Sequence, residues 1–258
     1  MINAWLDLPV AGVFACLAVF YGATAALIVW LTFGSPLRAG IQRFGGIVAP
    51  YFGAVALLFA LLTGFLAGDV MDRNRLAIRA MQVESSTLSN LHSLTLASPA
   101  DMAAIRSALR SYVEAIVTDE WSEMAQRRTS AKTEAALAAL LQAVAEPTIA
   151  TAASQAVHNG MITLALQAAA ARSDRLALNT HQSDTVKWST VLLLCLMTQL
   201  ALGMVHLERP RAQAAAVAVF SVAAIIALGM IAIQEDPFDG ALRLSPAPLE
   251  SLVKIVAA

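Results

Sequence analysis

The chain has 258 residues, 58% of them hydrophobic and 14% charged, with a formal net charge of −1. So apolar a composition excludes an ordinary soluble globule, and the dispersed Lys and Arg exclude a nucleic-acid binder. Cys16 and Cys195 both sit in apolar runs, where a thiol behaves as a small hydrophobe, so neither a disulfide framework nor a metal site is expected.

The earliest positive side chain is Arg38, beyond the first apolar run, so a cleaved leader is not expected. A helix needs about 20 apolar residues to cross a hydrocarbon core about 30 Å thick, and residues 10–33, 46–68, 188–207 and 212–233 qualify. None of the four contains Asp, Glu, Lys or Arg, and Tyr21, Trp30, Tyr51 and Trp188 lie in or beside them, some at interfacial depths. The short links 34–45 and 208–211 predict two hairpins. Both termini then share a side with residues 69–187. The expected organisation is an N-terminal hairpin (1–68), a helical extramembrane insertion (69–187), a C-terminal hairpin (188–233) and a tail (234–258).

No Gly or Pro falls between Gly68 and Pro99, so the second span continues past the bilayer as one rod to about Ala97. The insertion shows helical periodicity throughout. Ser98-Pro99-Ala100-Asp101 reads as a cap and helix start, followed by one apolar stripe through Ile105, Leu109, Tyr112, Val113, Ile116, Val117, Trp121 and Met124. A shorter stripe (Leu137, Leu140, Leu141, Val144) stops at Glu146-Pro147, and another begins with Val157, Met161, Leu164 and Ala168, with Asn159-Gly160 a candidate interruption. The fold class is therefore all-α and integral to a membrane, with four spans and a helical bundle between the second and third.

The chain carries no Gly-rich phosphate loop, G-x-S-x-G elbow, C-x-x-C or H-E-x-x-H, so catalysis gets no support and no cofactor is expected. His92, His158, His181 and His206 are scattered without a second ligand at i+3 or i+4 and read as surface or capping histidines. Glu114, Asp119, Glu120 and Glu123 cluster near Trp121. They read as a solvated helix face, with a cation or partner site as the alternative. Thr198, Gln199 and His206 in the third span read as interhelical hydrogen-bonding groups.

The second span is more informative. Ala60, Gly64 and Gly68 recur every four residues, a packing face that lets helices approach closely. Leu57, Leu61 and Phe65 form a bulky apolar ridge at i, i+4 and i+8. The ridge meets either lipid and the other spans or, if several copies surround an axis, a hydrophobic constriction that gates by dewetting. Asp69, Asp72, Arg73 and Arg75 follow where the helix leaves the bilayer. They are either charged rings at a pore mouth or simple interfacial anchors.

Leu57-x3-Leu61-x2-Gly64-Phe65 followed by Arg73 resembles the pore helix of bestrophins, and Asp236-Pro237-Phe238-Asp239-Gly240 looks like the Asn-Pro-Phe-Gly turn after their last span. More closely, the chain resembles the bacterial bestrophin-like domain family of membrane proteins. Ala80, Glu84 and Leu88, Glu120-Trp121-x-x-Met124, Arg172-x-x-Arg175-Leu176, Trp188 and Pro237-Phe238 fall in the expected order, from about Gly46 to the end. The resemblance implies a helical cytosolic domain and a ring-shaped homo-oligomer, pentameric in bestrophins, whose second span lines an ion path. Asp236 stands where Asn is usual, Asp239 separates Phe238 from Gly240, and the acidic calcium clasp of animal bestrophins is absent. No calcium gating is therefore expected.

Asp236-Pro237 should stop the fourth span, because proline disfavours helix in the residue before it, and Phe238 should pin the tail beneath the spans. The short links carry Arg38, Arg43, Arg209 and Arg211; the domain-side flanks carry Arg73, Arg75, Arg79, Arg172, Arg175, Lys187 and Arg243. Counting flanks, the domain and termini are cytoplasmic at the bacterial inner membrane; counting links alone reverses this. The expected function is an oligomeric ion channel, or a channel-like protein, with the bilayer, small inorganic ions and copies of itself as partners. Leu57, Leu61 and Phe65 form its neck, and Asp69, Asp72 and Arg73 its mouth. The alternative is a non-conducting sensor or scaffold whose helical domain binds a ligand or protein, and an enzyme is not expected.

Overall fold

The computed structural model describes residues 2–45, 49–180, 184–239 and 242–257. Gly46, His181 and Gly240, and the side chain of Tyr51, lie outside the described residues. Among the described residues the regular structure is helical. The elements are α1 (Ile2–Leu6), α2 (Val10–Phe33), α3 (Arg38–Ile41), α4 (Ala49–Ala97), α5 (Ala103–Ala115), α6 (Trp121–Met124), α7 (Ala131–Ala145), α8 (Thr148–Ala153), α9 (Gln155–Thr180), α10 (Thr185–Val205), α11 (Pro210–Ala232) and α12 (Ala247–Ala257). A 3-10 turn follows α3, and a π-helical segment, Ile116–Glu120, joins α5 to α6. In α2, α4, α10 and α11 the chain is long and apolar enough to cross a bilayer.

The helix ends follow local chemistry. Asp184 caps α10 by accepting the Val186 and Lys187 amides at 3.1 Å. Pro210 opens α11, where its missing N–H costs nothing. Ser130 caps α7 by accepting from Thr133 at 3.1 Å, and α7 ends before Glu146-Pro147 as expected. Two expected boundaries move. The helix expected at Ser98-Pro99 begins at Ala103: Ser98 Oγ accepts the Ala100 amide at 3.3 Å and Asp101 Oδ1 the Ala103 amide at 2.9 Å, so successive side-chain turns delay the helix. Asn159-Gly160 interrupts nothing. The break falls at Ser154, between α8 and α9, where φ is 104°.

The chain divides into two compact units. The first comprises Met1–Asp72, Gln182–Glu235 and Gly240–Leu242; the second comprises Arg73–His181, Asp236–Asp239 and Arg243–Ala258. In the first, α2, α10 and α11 pack around Val13, Leu17, Tyr21, Val191, Cys195 and Leu228, and α4 adds Leu66 with Phe59 and Leu62. Tyr21 and Trp188 are fully buried, whereas Trp30 is exposed. Trp188 stacks edge-on with Trp5 and donates to Glu235 Oε2 at 3.2 Å.

Several polar groups inside these helices satisfy one another, as an apolar solvent favours. Gln199 donates to Tyr21 O at 3.0 Å and Ser221 Oγ at 2.8 Å and accepts from Thr24 at 2.7 Å, tying α2, α10 and α11 together. Thr198 and His206 instead bond carbonyls of their own helix. Close approach of α2 and α10 depends on Gly203, where a Cβ would lie 2.7 Å from Ile28 Cγ2. Ile28 is β-branched and stiff, so Gly203→Val is expected to cost about 1–3 kcal/mol by overpacking. A thermal midpoint in detergent equal to wild type would contradict that.

The second unit has a separate core, including Leu88, Leu91, Ile105, Leu109, Leu140 and Met161, into which α12 inserts Leu249, Leu252 and Val256. Ser85 Oγ anchors the start of α12 by donating to Pro248 O at 3.1 Å. His92 and His158 are buried, not on the surface. His158 does cap: its Nε2 meets Val144 O at 2.9 Å, at the end of α7 where carbonyls lack helical partners.

Candidate functional site

In the first unit, the ridge expected on the second span lies on α4 with Leu57, Leu61 and Phe65 exposed by 69%, 52% and 61%. Leu66, Leu62 and Phe59 turn the opposite face of the helix into the core, and Phe59 meets Phe220 edge-on at 6.0 Å. At 3.6 residues per turn the two faces are roughly 140° apart. Among the described residues, the ridge joins none of the hydrophobic clusters of its own chain. Ala60, Gly64 and Gly68 flank it, and a Cβ at Gly64 or Gly68 would meet no atom within 4 Å. Asp69, expected at a pore mouth, is paired with Lys187 at 2.5 Å, and Lys187 also lies 3.7 Å from Asp184, so Asp69 presents an exposed ion pair. Asp72 is exposed and Arg73 half-buried on the same helix.

The second unit holds a polar centre that the sequence reading missed. Glu120, expected on a solvated face, is fully buried. The π-helical segment widens the turn so that Ile116, Glu120 and Met124, spaced by four, all point inward. Arg175 bridges two acids: its Nε lies 2.8 Å from Glu84 Oε2, and its Nη2 2.8 Å from Glu120 Oε2. Arg172 takes the other oxygen of Glu120 at 2.5 Å, and Tyr112 donates to Glu84 at 2.9 Å. Arg175 Nη1 also reaches Met124 Sδ at 2.7 Å. Two carboxylates and two guanidiniums cancel in formal charge, and this set joins α4, α5, α6 and α9.

Burial opposes the charge on Arg175, but Glu84 and Glu120 outweigh it and hold the guanidinium protonated beyond its ordinary range. Arg172 is raised in the same way, burial opposing and Glu120 prevailing. Burial, then Glu84, pushes Tyr112 well above a normal phenol, so it remains a donor. The neighbouring acids behave differently. Glu114 pairs with Arg110 and Glu123 with Arg128, both at 2.8 Å on the surface, while Asp119 accepts from Ser130. Among the described residues no three His, Cys, Asp or Glu side chains come together as a metal site would require.

The turn after α11 joins this centre. Asp236 Oδ1 accepts the Phe238 amide at 3.0 Å and the Asp239 amide at 3.2 Å, which shapes the Pro237 turn. Phe238 is buried with Ala77 and Met124 and meets Trp121 edge-on at 5.9 Å. The Arg175 guanidinium lies 5.7 Å from the same indole. Arg127, in the left-handed region at φ 56°, adds an ion pair to Asp236 at 3.5 Å. Phe238 is thus held within the helical unit. Phe238→Ala is expected to cost about 3–5 kcal/mol by opening a cavity, and an unchanged unfolding midpoint would remove the anchoring role.

A family model for the bestrophin-like domain matches residues 13–249. The chain belongs to the bestrophin-like domain family. Membership and the four apolar helices together make it a multi-pass membrane protein. Solved structures share the bestrophin-like fold. Two are variants of a bacterial bestrophin homologue from Klebsiella pneumoniae. One is 14% identical and covers 96% of each chain with a TM-score of 0.73. The other is 15% identical and covers 92% of this chain and 97% of that one with a TM-score of 0.72. A third structure, described as a membrane protein, is 13% identical over 94% of this chain and 97% of that chain, with a TM-score of 0.73. No curated protein matches the sequence. In this bestrophin-like chain, Glu84, Glu120, Trp121, Met124, Arg172, Arg175 and Phe238, which carried the sequence resemblance, converge on one centre in the helical unit.

Proposed function

We propose that the chain is one subunit of a homo-oligomeric ion channel in the bacterial inner membrane, with its helical unit and both termini in the cytoplasm. The observation that carries this reading is the ridge. Three bulky apolar side chains are exposed on a helix whose opposite face is packed into the core of the first unit. Copies gathered around an axis, five as in bestrophins, would stack three apolar rings over a rise of about 12 Å. A neck of that kind excludes water when narrow and conducts passively when it widens. Ala60, Gly64 and Gly68, open within one chain, give the adjoining flank where a neighbouring span packs closely. Asp72 and Arg73 follow the neck as its inner mouth. Asp69, neutralised by Lys187, contributes less charge there than its position in the sequence suggests.

Purified protein reconstituted into liposomes should dissipate an imposed salt gradient in proportion to protein added. Liposomes that hold their gradient under both anion-selective and cation-selective conditions would refute conduction.

A further inference from the structure

In the first unit, three membrane-length helices are tied together at one end. Gln213 Nε2, near the start of α11, donates to Thr32 Oγ1 at 3.3 Å, near the end of α2, and to Gly203 O at 2.7 Å, near the end of α10. The links that follow α2 and α10 therefore share that end. They and the first turn of α11 carry Arg38, Arg43, Arg209 and Arg211, all exposed and none in an ion pair among the described residues. Glu208 is the only acid in residues 34–48 and 206–211, so four arginines face one carboxylate. Apolar side chains alternate with these cations. Leu37 and Phe44, 63% and 64% exposed, each adjoin an arginine in the chain, and Trp30, 55% exposed, lies one turn before the end of α2. Ser35 Oγ accepts the Leu37 amide at 3.2 Å and donates to Leu31 O at 2.7 Å, which fixes the turn that carries Leu37 and Arg38.

We propose that this end of the first unit is a binding site for anionic phospholipids, whose headgroup phosphates its arginines hold. A bilayer sets phosphates at the ends of apolar spans. All four cations are arginine, and a guanidinium meets phosphate oxygens with two parallel N–H donors, which an ammonium cannot do. Leu37 and Phe44 select lipid over free phosphate: a soluble anion leaves them in water, whereas the acyl boundary beneath a headgroup covers them. Trp30 suits the same depth, since an indole favours the membrane interface. The charge excess selects the headgroup. A zwitterionic lipid brings its own ammonium, whereas an anionic one leaves its phosphate charge to the arginines. Glu208 opposes this attraction and is outnumbered. The proposal holds whichever leaflet this end meets and whether or not the protein conducts.

Native mass spectrometry of the full-length protein in an uncharged detergent tests the site, with phosphatidylglycerol and phosphatidylcholine of the same acyl chains added in equal amounts. Phosphatidylglycerol should be retained at least tenfold over phosphatidylcholine. Arg38→Gln, Arg43→Gln, Arg209→Gln and Arg211→Gln combined should abolish the preference. Either pair alone, at 38 and 43 or at 209 and 211, should lose part of it, which keeps the test decisive if the fourfold variant fails to fold. Lys254→Gln, exposed on α12 in the second unit, should leave the preference intact. Equal retention of the two lipids overturns the proposal. An undiminished preference in both paired variants also overturns it, because the lipid is then held by other cations. Inorganic phosphate that displaces phosphatidylglycerol at equal concentration shows a site for free anions and overturns the lipid assignment.

Discussion

Arg175→Ala is expected to be the most damaging single substitution in the helical unit, lowering its stability by about 3–5 kcal/mol. The guanidinium bridges Glu84 and Glu120, and both acids are fully buried, so its loss strands Glu84 without a counter-charge and leaves Glu120 with half of its pairing. Arg172 then neutralises only Glu120. Arg175→Lys should recover part of the loss, because an ammonium restores charge but not the fork that reaches both acids. Replacing all four charged residues together with Leu or Met should fare far better than Arg175→Ala, since a buried pair contributes little over a well-packed apolar set. Thermal unfolding followed by circular dichroism reads this order. A loss below about 1 kcal/mol for Arg175→Ala would mean that the acids reach water in solution.

Leu61→Ala and Phe65→Ala should raise resting conductance at least tenfold in planar bilayers. In the proposed neck each substitution removes bulk from every subunit at once, so a ring that kept the passage dry admits water and ions. Val219→Ala supplies the control. Val219 is also exposed in the first unit, but on α11, and its truncation should leave conductance unchanged. Equal currents from all these variants and wild type would show that the ridge sets no barrier.

Much of the architecture was legible because membrane helices obey simple rules of length and polarity. The first span's bounds coincide with α2, and the absence of Gly and Pro after Gly68 marked α4 as unbroken to Ala97. Boundaries governed by side-chain turns were harder. Ser98 and Asp101 each close a local turn, which a cap pattern does not distinguish from a single helix start. The ionic centre was missed because Glu120 sits among Glu114, Asp119 and Glu123, which are solvated or partly so. The signal lay in spacing: Glu84 falls four before Leu88, and Glu120 four after Ile116 and four before Met124, so the apolar period required burial. The two arginines that compensate them are 52 and 91 residues away along the chain, for the Glu120–Arg172 and Glu84–Arg175 pairs. That pairing comes from tertiary packing, which no local pattern encodes.

A structure of the intact assembly in lipid nanodiscs tests the central claim most directly. Leu57, Leu61 and Phe65 from every copy should converge on one axis as three stacked rings around a continuous passage. The same side chains lying against lipid, with no passage at the centre of the assembly, would contradict it.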